Sequence, residues 1–483
     1  MSSTSGHRRV AIIGGGISGL AAAFRLRELA AALEFPLETA LFEKGPTLGR
    51  ALATVRHDGF VIETGADSFL SEKPWALELA KRLGLESELI KTDERFRKTL
   101  VVRAGRLAEI PEGFSLLAPT RFLPVFRSPL FSVPGKLRMA LEPLIPARRE
   151  GGDESLASFV TRRLGREVLD RVAQPLAGGI YTADPELLSL AATMPRFIEM
   201  ERRYGSLYKG LRAASRNSTV RARGTSGARW SLFLSFRGGM RALVEALATR
   251  LGESVRTGTA VAGLARADGG AGGWRVEMPE GAGFDADAVI VATPAYDAAR
   301  LLKPHDAELA RLLDEIDYSS AASVNLAYRA AELPRLPESF GFVVPVTERR
   351  KIIACTFSSV KFAHRAPEGT VLMRTFLGGA LQAEMMGLDD AALVAAAREE
   401  IAALLGVRAE PIFAHVQRWP QQMPQYAVGH LDRVARIERR TATLRGLALA
   451  GAAYRGVGVP DCIHSGEQAA ESILYYLQSA SRA

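Results

Sequence analysis

RVAIIGGGISGLAAAFRLRELAAALEFPLETALFE, residues 9–43, holds a strand, a glycine turn, a helix and a second strand in that order. Val10–Ile13 is a short, largely β-branched run of the kind that forms a buried parallel strand. It runs into Gly14-Gly15-Gly16-Ile17-Ser18-Gly19, so Gly14, Gly16 and Gly19 satisfy G-x-G-x-x-G. Helical spacing follows from about Leu20 to Ala32, and Leu37–Phe42 reads as the second strand, ending at Glu43. Gly14 permits the tight turn, Gly16 lets backbone approach a pyrophosphate, and Gly19 lets helix pack on strand. The free N–H groups and dipole at the helix start favour phosphate charge. Glu43 is placed to accept from ribose hydroxyls. It lies 24 residues past Gly19, against a usual ~20, and the extra AALEFPLE accounts for the excess. A bare βαβ turn would also use glycines, but strand, glycines, helix, strand and terminal acid in sequence point to a dinucleotide site.

At 483 residues the chain exceeds one ordinary core, so two or three domains are expected. With 47% hydrophobic and 24% charged residues it has the balance of a soluble globular protein. Cys355 and Cys462 stand far apart and in no metal spacing, which fits a reducing cytoplasm. The first eight residues, MSSTSGHR, are polar, so no signal peptide is expected. No run reaches the ~20 apolar residues of a spanning helix. The net charge of +9 is spread along the chain without a nucleic-acid module. It fits a basic face toward anionic lipid or a carboxylate-bearing substrate, or simple solubility.

Along the chain, residues 1–8 read as a disordered tail and 9–70 as the first part of the nucleotide domain. Phe60–Glu63 reads as a strand and Gly65-Ala66-Asp67-Ser68 as a turn into a helix. Residues 75–89 have amphipathic helical spacing. Arg97–Arg103 reads as a strand that turns at Ala104-Gly105. Residues 71–105 are assigned to a substrate-binding domain. In 106–208 the stretch 111–146, PEGFSLLAPTRFLPVFRSPLFSVPGKLRMALEPLIP, interleaves prolines and phenylalanines with Arg and Lys. Short helices with apolar faces and basic flanks are expected there, suited to a membrane interface, a pocket wall or domain packing. Helical spacing resumes over 154–175 and ends at the glycines of Gln174–Tyr181. Asp184-Pro185 then starts a new helix. Residues 209–229 read as a basic loop. Residues 230–298 return the chain to the nucleotide domain through a helix at 240–251, strands in Val255–Leu264 and Trp274–Met278, and the strand Ala288–Ala292. Residues 299–425 complete the substrate domain with a sheet in 324–376 and a helix at 389–405. Residues 426–483 close the nucleotide domain: a strand at Leu447–Ala450, Gly451, and a helix starting near Val459–Asp461. The expected class is mixed α/β, a two-part Rossmann-like FAD domain with an inserted substrate-binding domain and a helical, membrane-facing region.

Several of these motifs together resemble the flavin-dependent amine oxidase and desaturase superfamily, and within it the oxygen-dependent porphyrinogen oxidases of haem synthesis. The likeness runs from Val10 to about Leu474. It is carried by Gly65-Ala66-Asp67-Ser68-Phe69-Leu70, by Gly178-Gly179-Ile180-Tyr181 with Asp184 and Leu188-Ser189, and by Arg418-Trp419-Pro420, Pro424-Gln425-Tyr426 and Gly429-His430. Gly451, Tyr454-Arg455-Gly456-Val457-Gly458 and Asp461-Cys462-Ile463 complete it. The resemblance implies FAD, held by Gly14, Gly15, Gly16, Ile17, Ser18, Gly19, Glu43 and Lys44. The turn Gly65, Ala66, Asp67 and Ser68 would border the flavin. Val261 would meet the adenine, Trp419 would lie near the flavin, and Gly451, Val457, Gly458 and Val459 would meet the isoalloxazine side. Asp67, Arg97, Gly179 and Phe340 are the substrate candidates.

Two departures stand out. The family has Leu-Gly-Gly and then Arg or Lys where this chain has Leu48-Gly49-Arg50-Ala51, so either Arg50 takes the family's basic role one position early or its β-carbon, where glycine is usual, perturbs the flavin-side backbone and shifts the turn. Thr99 stands where some relatives carry an arginine for a substrate propionate. Arg97, two residues earlier, would share its strand face by alternation.

The implied reaction is six-electron oxidation of a porphyrinogen, protoporphyrinogen IX or coproporphyrinogen III, with O2 reduced to hydrogen peroxide. The flavin carries the chemistry, so no catalytic acid–base pair, thiol or metal is expected, and His57, His364 and His430 are read as structural. Peripheral contact with the inner face of the membrane, a homodimer and docking to a haem-pathway chelatase are further expectations; nucleic acid is not. The competing readings are an amine or polyene oxidase of the same superfamily and a non-catalytic FAD-binding partner.

Overall fold

Along the first strand the side chains alternate between two cores: Val10 and Ile12 enter one, Ala11 and Ile13 the other. A strand covered on both faces needs apolar residues at every position, which is why it reads as a continuous run. The computed structural model describes residues 7–112, 114–115, 118–119, 121–148, 151–214, 232–267, 273–279, 281 and 283–482. The strand, Arg8–Ile13, is central in a five-stranded parallel sheet. The order is Val255–Arg256, Leu37–Phe42, Arg8–Ile13, Ala288–Val291 and Leu447–Leu449. Ile17–Ala32 and the C-terminal helix Val459–Arg482 share the core on one face. An antiparallel meander, Gly263–Arg266, Trp274–Glu277 and Gly283–Ala286, covers the other with the helices Ala295–Leu302 and Ala307–Asp314.

A second, mixed sheet has seven strands. Their order is Phe413–Pro424, Tyr318–Arg329, Thr370–Gly378, Ala354–Phe357, Gly341–Val343, Thr99–Arg103 and Arg106–Glu109. Thr99–Arg103 enters parallel to Gly341–Val343 although 242 residues separate their paired Cα atoms. One face packs against Asp390–Leu405 through Leu100, Phe342 and Leu326. The opposite face, with Val101, Val343 and Ala354, joins the core of the helices between residues 122 and 204. The mixed α/β class read from the sequence is the class observed, and no helix among the described residues is long and apolar enough to cross a membrane.

Several local expectations are corrected. The turn Gly65–Ser68 leads into a two-residue strand, Phe69–Leu70, rather than a helix, because Phe233–Phe236 pairs with it. The helix expected over 75–89 spans Pro74–Arg82. Gly84, at φ +78°, stops it, and Leu89–Lys91 becomes a strand on the other side of Phe233–Phe236. The glycines of 178–179 do not end a helix but lie inside Gln174–Tyr181, which stops at Thr182 with φ +48°. A π turn at Leu169–Ala173 precedes Pro175, whose ring nitrogen has no proton to continue the helical ladder. After Asp184 the helix starts only at Leu190, where Ser189 caps it. Of the basic loop expected at 209–229, residues 209–214 are helical. Its remainder, and residues 1–6 of the expected tail, lie outside the described residues.

Candidate functional site

The glycine turn is built by contacts that tolerate no β-carbon. Gly14 has φ +111°, and a Cβ there would stand 2.6 Å from the carbonyl oxygen of Ala292; one on Gly19 would stand 1.9 Å from the carbonyl oxygen of Gly14. At Gly16 the same test meets nothing within 4 Å, so the backbone faces open space. The helix beyond it begins at Ile17 without a side-chain cap, leaving first-turn N–H groups directed at that space. Ser18 is buried here. The Glu43 carboxylate accepts from the N–H of Gly15 and of Gly45, each at 2.7 Å, which fixes its direction at the end of Leu37–Phe42. Open space over uncapped amides, with an oriented carboxylate at the next strand end, fits a dinucleotide. Lys44 reaches Asp297 at 3.1 Å and is largely exposed. Arg300 donates to the carbonyls of Val261 and Ala262, so Val261 is held in the loop before Gly263–Arg266.

The Arg50 departure has a structural answer. Arg50 takes φ +39°, a left-handed conformation, while the Gly49 N–H donates to the Gly15 carbonyl at 2.9 Å. The turn keeps its place on the glycine loop and Arg50 bears backbone strain. Gly65 packs directly on this turn: a Cβ would stand 1.9 Å from the Ala51 carbonyl oxygen, which also accepts from the Ala66 N–H.

Beneath Gly65–Ser68 lies an ion cluster that sequence reasoning missed. Lys361 Nζ is 2.8 and 3.0 Å from the two Asp67 carboxylate oxygens, and Ser68 Oγ donates to Asp67 at 2.7 Å. Glu63 accepts from the Met240 N–H and Thr54 Oγ1, both at 2.8 Å, and lies 3.4 Å from Arg365. Arg365 also donates to Ser235 Oγ and the Phe236 carbonyl. Three donors, Arg374 Nη2, Ser323 Oγ and Trp419 Nε1, converge on the Thr64 carbonyl. Trp419 is thus anchored by its indole N–H next to the turn. Burial pushes the Asp67 carboxyl up, but Lys361 and Arg374 outweigh it and hold the group well below the usual carboxylate range. For Glu63 burial wins over Arg365 and the carboxyl is pushed up to about 7. Three cations therefore face two carboxylates, one of which is readily neutral. An arginine such as Arg374 within the apolar strand TVLMRTFLG was the available signal, since a buried charge requires a partner.

The candidates on the substrate side gather near one strand. Gly179 is exposed on its helix and the nearest atom to a Cβ there is Val343 Cγ1, at 3.9 Å. Phe340 directly precedes Gly341–Val343, and its N–H donates to the Lys98 carbonyl at 3.0 Å. Arg97 contradicts the alternation argument: the strand starts at Thr99, and Arg97 closes a 3₁₀ turn at ψ +53°. Asp93 caps that turn and holds Arg95, which pulls the chain out of extension. Arg97 is exposed and forms no ion pair among the described residues.

At the C-terminal end the Gly451 N–H donates to Ser465 Oγ at 3.0 Å, Val457 packs against the helical core, and Gly458 leads into Val459–Arg482. Gly466 was also missed. A Cβ there would stand 2.1 Å from the Ser18 carbonyl oxygen, so only glycine lets this helix cross the first one next to the glycine turn. His430 and both thiols are buried. Burial pushes His430 down to about 4 and Cys462 up to about 12. Among the described residues no group of three or more His, Cys, Asp or Glu is arranged to hold a metal ion.

A parallel sheet with a glycine cradle over open space, accompanied by a mixed sheet, is the arrangement of a dinucleotide-binding protein. The model of the flavin containing amine oxidoreductases matches residues 17–474, and the chain belongs to that family. Its cofactor is FAD. Among curated relatives, the coproporphyrinogen III oxidase of Bacillus subtilis is 34% identical over 99% of this chain and 100% of its own length. The protoporphyrinogen oxidase of Homo sapiens is 33% identical over 97% and 98%. A crystal structure from Exiguobacterium sp. 255-15, named with protoporphyrinogen oxidase as an inferred activity, superposes with a TM-score of 0.84. It is 30% identical and covers 99% of this chain and 100% of that one.

Proposed function

We propose that this protein oxidises a porphyrinogen to the porphyrin in haem biosynthesis, with FAD as the redox group and O2 as the terminal acceptor. The observation that carries the reading is likeness over nearly the full length to porphyrinogen oxidases, in a chain whose glycine cradle fits the cofactor. FAD, when bound, supplies the two-electron acceptor for each step. Three such steps remove six electrons and six protons from the macrocycle, and three O2 become three H2O2. The chain's own residues bind, orient and exclude water. Gly16 and the uncapped helix start receive the pyrophosphate, Glu43 the ribose, and Gly65–Ser68 with Trp419 and Val457–Val459 frame the flavin. The excess of cations at Lys361, Arg365 and Arg374 favours negative charge developing above the turn. In this reading Gly179 and Phe340 border a substrate chamber beside the strand Gly341–Val343, and Arg97 draws a propionate from its rim.

The partition into FAD-binding segments 9–70, 230–298 and 426–483 and substrate-binding segments 71–105 and 299–425 is part of this proposal. Every strand of the parallel sheet, and every strand of the mixed sheet except Arg106–Glu109, comes from those segments, which supports it; the helix Pro74–Arg82, by contrast, packs in the core of the parallel sheet. Peripheral membrane contact is assigned to the helices Phe122–Arg127 and Val133–Ala140 and the turn after them. Leu123, Phe126, Val133, Leu137, Leu141 and Leu144 are exposed there beside Arg121 and Arg127. A cytoplasmic location on the inner membrane face, a homodimer and docking to a chelatase complete the proposal on the strength of the family resemblance.

The test is an aerobic assay of FAD-supplemented protein with protoporphyrinogen IX and coproporphyrinogen III in turn, following porphyrin fluorescence above the spontaneous blank. A rate with either supports the proposal and names the substrate. Protein that holds FAD but shows no rate with both, and whose flavin neither bleaches anaerobically, refutes it. Gly179→Leu, for which the structure has room, should impair turnover more than FAD content; equal loss of both removes Gly179 from the chamber.

A further inference from the structure

Gln425 and Tyr426 follow the long edge strand Phe413–Pro424, and their side chains reach in two directions. Gln425 Nε2 donates to the Tyr181 carbonyl at 3.2 Å, to Ser319 Oγ at 2.9 Å and to the Met423 carbonyl at 3.0 Å. Tyr181 is the last residue of the helix that carries Gly178 and Gly179. Tyr426 is buried, and its hydroxyl donates to the Ala452 carbonyl at 2.5 Å and accepts from the Gly456 N–H at 2.8 Å. The Tyr426 ring stacks on His430 with centroids 4.0 Å apart. His430, fully buried, donates from Nε2 to the Tyr454 carbonyl at 2.8 Å, since a carbonyl can only accept. The backbone of Tyr426 is fixed in turn, its carbonyl accepting from the Ser189 N–H at 2.7 Å. The loop so held, Ala452–Gly456, ends at φ +152° on Gly456 and delivers Val457–Val459.

We infer that Gln425-Tyr426 is a two-armed positioning strut that sets the separation between the helix bordering the substrate and the loop bordering the flavin. The inference rests on the proposed placement of flavin and porphyrinogen at those two segments. Two adjacent residues hold the two segments, one arm each: Gln425 the helix end at Tyr181, Tyr426 the loop at Ala452 and Gly456. A hydride donor and acceptor must stay in near contact, and small misplacements lower rates steeply. Both residues are inferred to act through other segments, Tyr426 through the backbone at Ala452 and Gly456, Gln425 through the Tyr181 carbonyl and Ser319 Oγ.

The experiment uses full-length holoenzyme with Tyr426→Phe and Gln425→Leu, each removing hydrogen bonds from one arm while keeping side-chain bulk. Three quantities are read: FAD affinity, the visible circular dichroism of bound flavin, and affinity for coproporphyrin III as an oxidised probe of the chamber. Tyr426→Phe removes both hydrogen bonds to the loop and should weaken FAD by about five- to hundredfold, the worth of two neutral hydrogen bonds, and change the flavin dichroism. Its porphyrin affinity should stay within about twofold. Gln425→Leu should do the reverse. Equal shifts for both ligands in either variant, or no shift in the ligand assigned to an arm, overturn the strut, because a merely structural role lowers melting temperature and both affinities together. The FAD arm needs no porphyrin. Loss of the porphyrinogen reading alone therefore leaves the Tyr426 result standing, whereas failure of both arms in a protein that binds porphyrin overturns the strut alone.

Discussion

The glycine turn and the ion cluster beneath Gly65–Ser68 serve the same site and are built on opposite principles. The turn is local: Gly14, Gly16, Gly19 and Glu43 lie within 30 residues, and Gly14 and Gly19 are demanded by backbone geometry. The cluster is remote: Lys361 meets Asp67 across 294 positions, and Arg374 meets the Thr64 carbonyl across 310. A glycine that admits no β-carbon announces its constraint by its residue type. A lysine announces nothing until its partner is known.

That contrast can be tested from its strong end downward. Gly19→Val drives a side chain into the Gly14 carbonyl, so purified protein should lose its flavin altogether. The ratio of visible to protein absorbance checks this, and yellow protein of normal stoichiometry would refute the cradle. Asp67→Ala should cost about 2 kcal/mol of unfolding free energy, because it leaves the partly buried Lys361 and the buried Arg374 without their carboxylate. Urea unfolding of the two proteins measures it, and a change below about 0.5 kcal/mol would mean that solvent already pairs the cations.

Glu63→Gln sharpens the comparison through pH. The carboxyl titrates near 4.5 when unfolded and at about 7 when folded. Between those values the folded protein keeps a proton that the unfolded chain has lost. Wild type should therefore lose stability relative to the glutamine variant as pH rises from 4.5 to about 7, by at most roughly 3 kcal/mol, and the difference should be flat above. A difference independent of pH would show that Arg365 holds Glu63 ionised throughout. The smallest effect is expected from Arg97→Ala. Its exposed position predicts a stability change within about 0.5 kcal/mol. If Arg97 draws a propionate, KM should rise with kcat unchanged; an unaltered KM removes it from the site.

Legibility in the sequence followed the same division. Strands Leu37–Phe42 and Phe60–Glu63 and the helix Asp390–Leu405 stand within a residue of where periodicity put them, because burial on a fixed face writes itself as a pattern. The helix that stops at Arg82 was overextended because Leu89–Lys91 carries apolar residues for a strand pairing that lies in another part of the chain. Arg97 was misplaced because Asp93, four residues away, bends the chain before the strand begins. The quoted motifs around Gln425-Tyr426 were recognised as strings, but nothing in a string says which carbonyls a side chain will hold.

The sequence by itself determined the parallel nucleotide sheet, its glycine cradle and the acid at the second strand end, because steric demands on backbone select residue types directly. The tertiary structure alone decided which charges pair beneath the site, how Arg50 fits a turn that favours glycine, and which residues tie helix to loop. Those contacts form between segments hundreds of residues apart, where an interaction depends on where two groups come to lie rather than on which residues stand beside them in the chain.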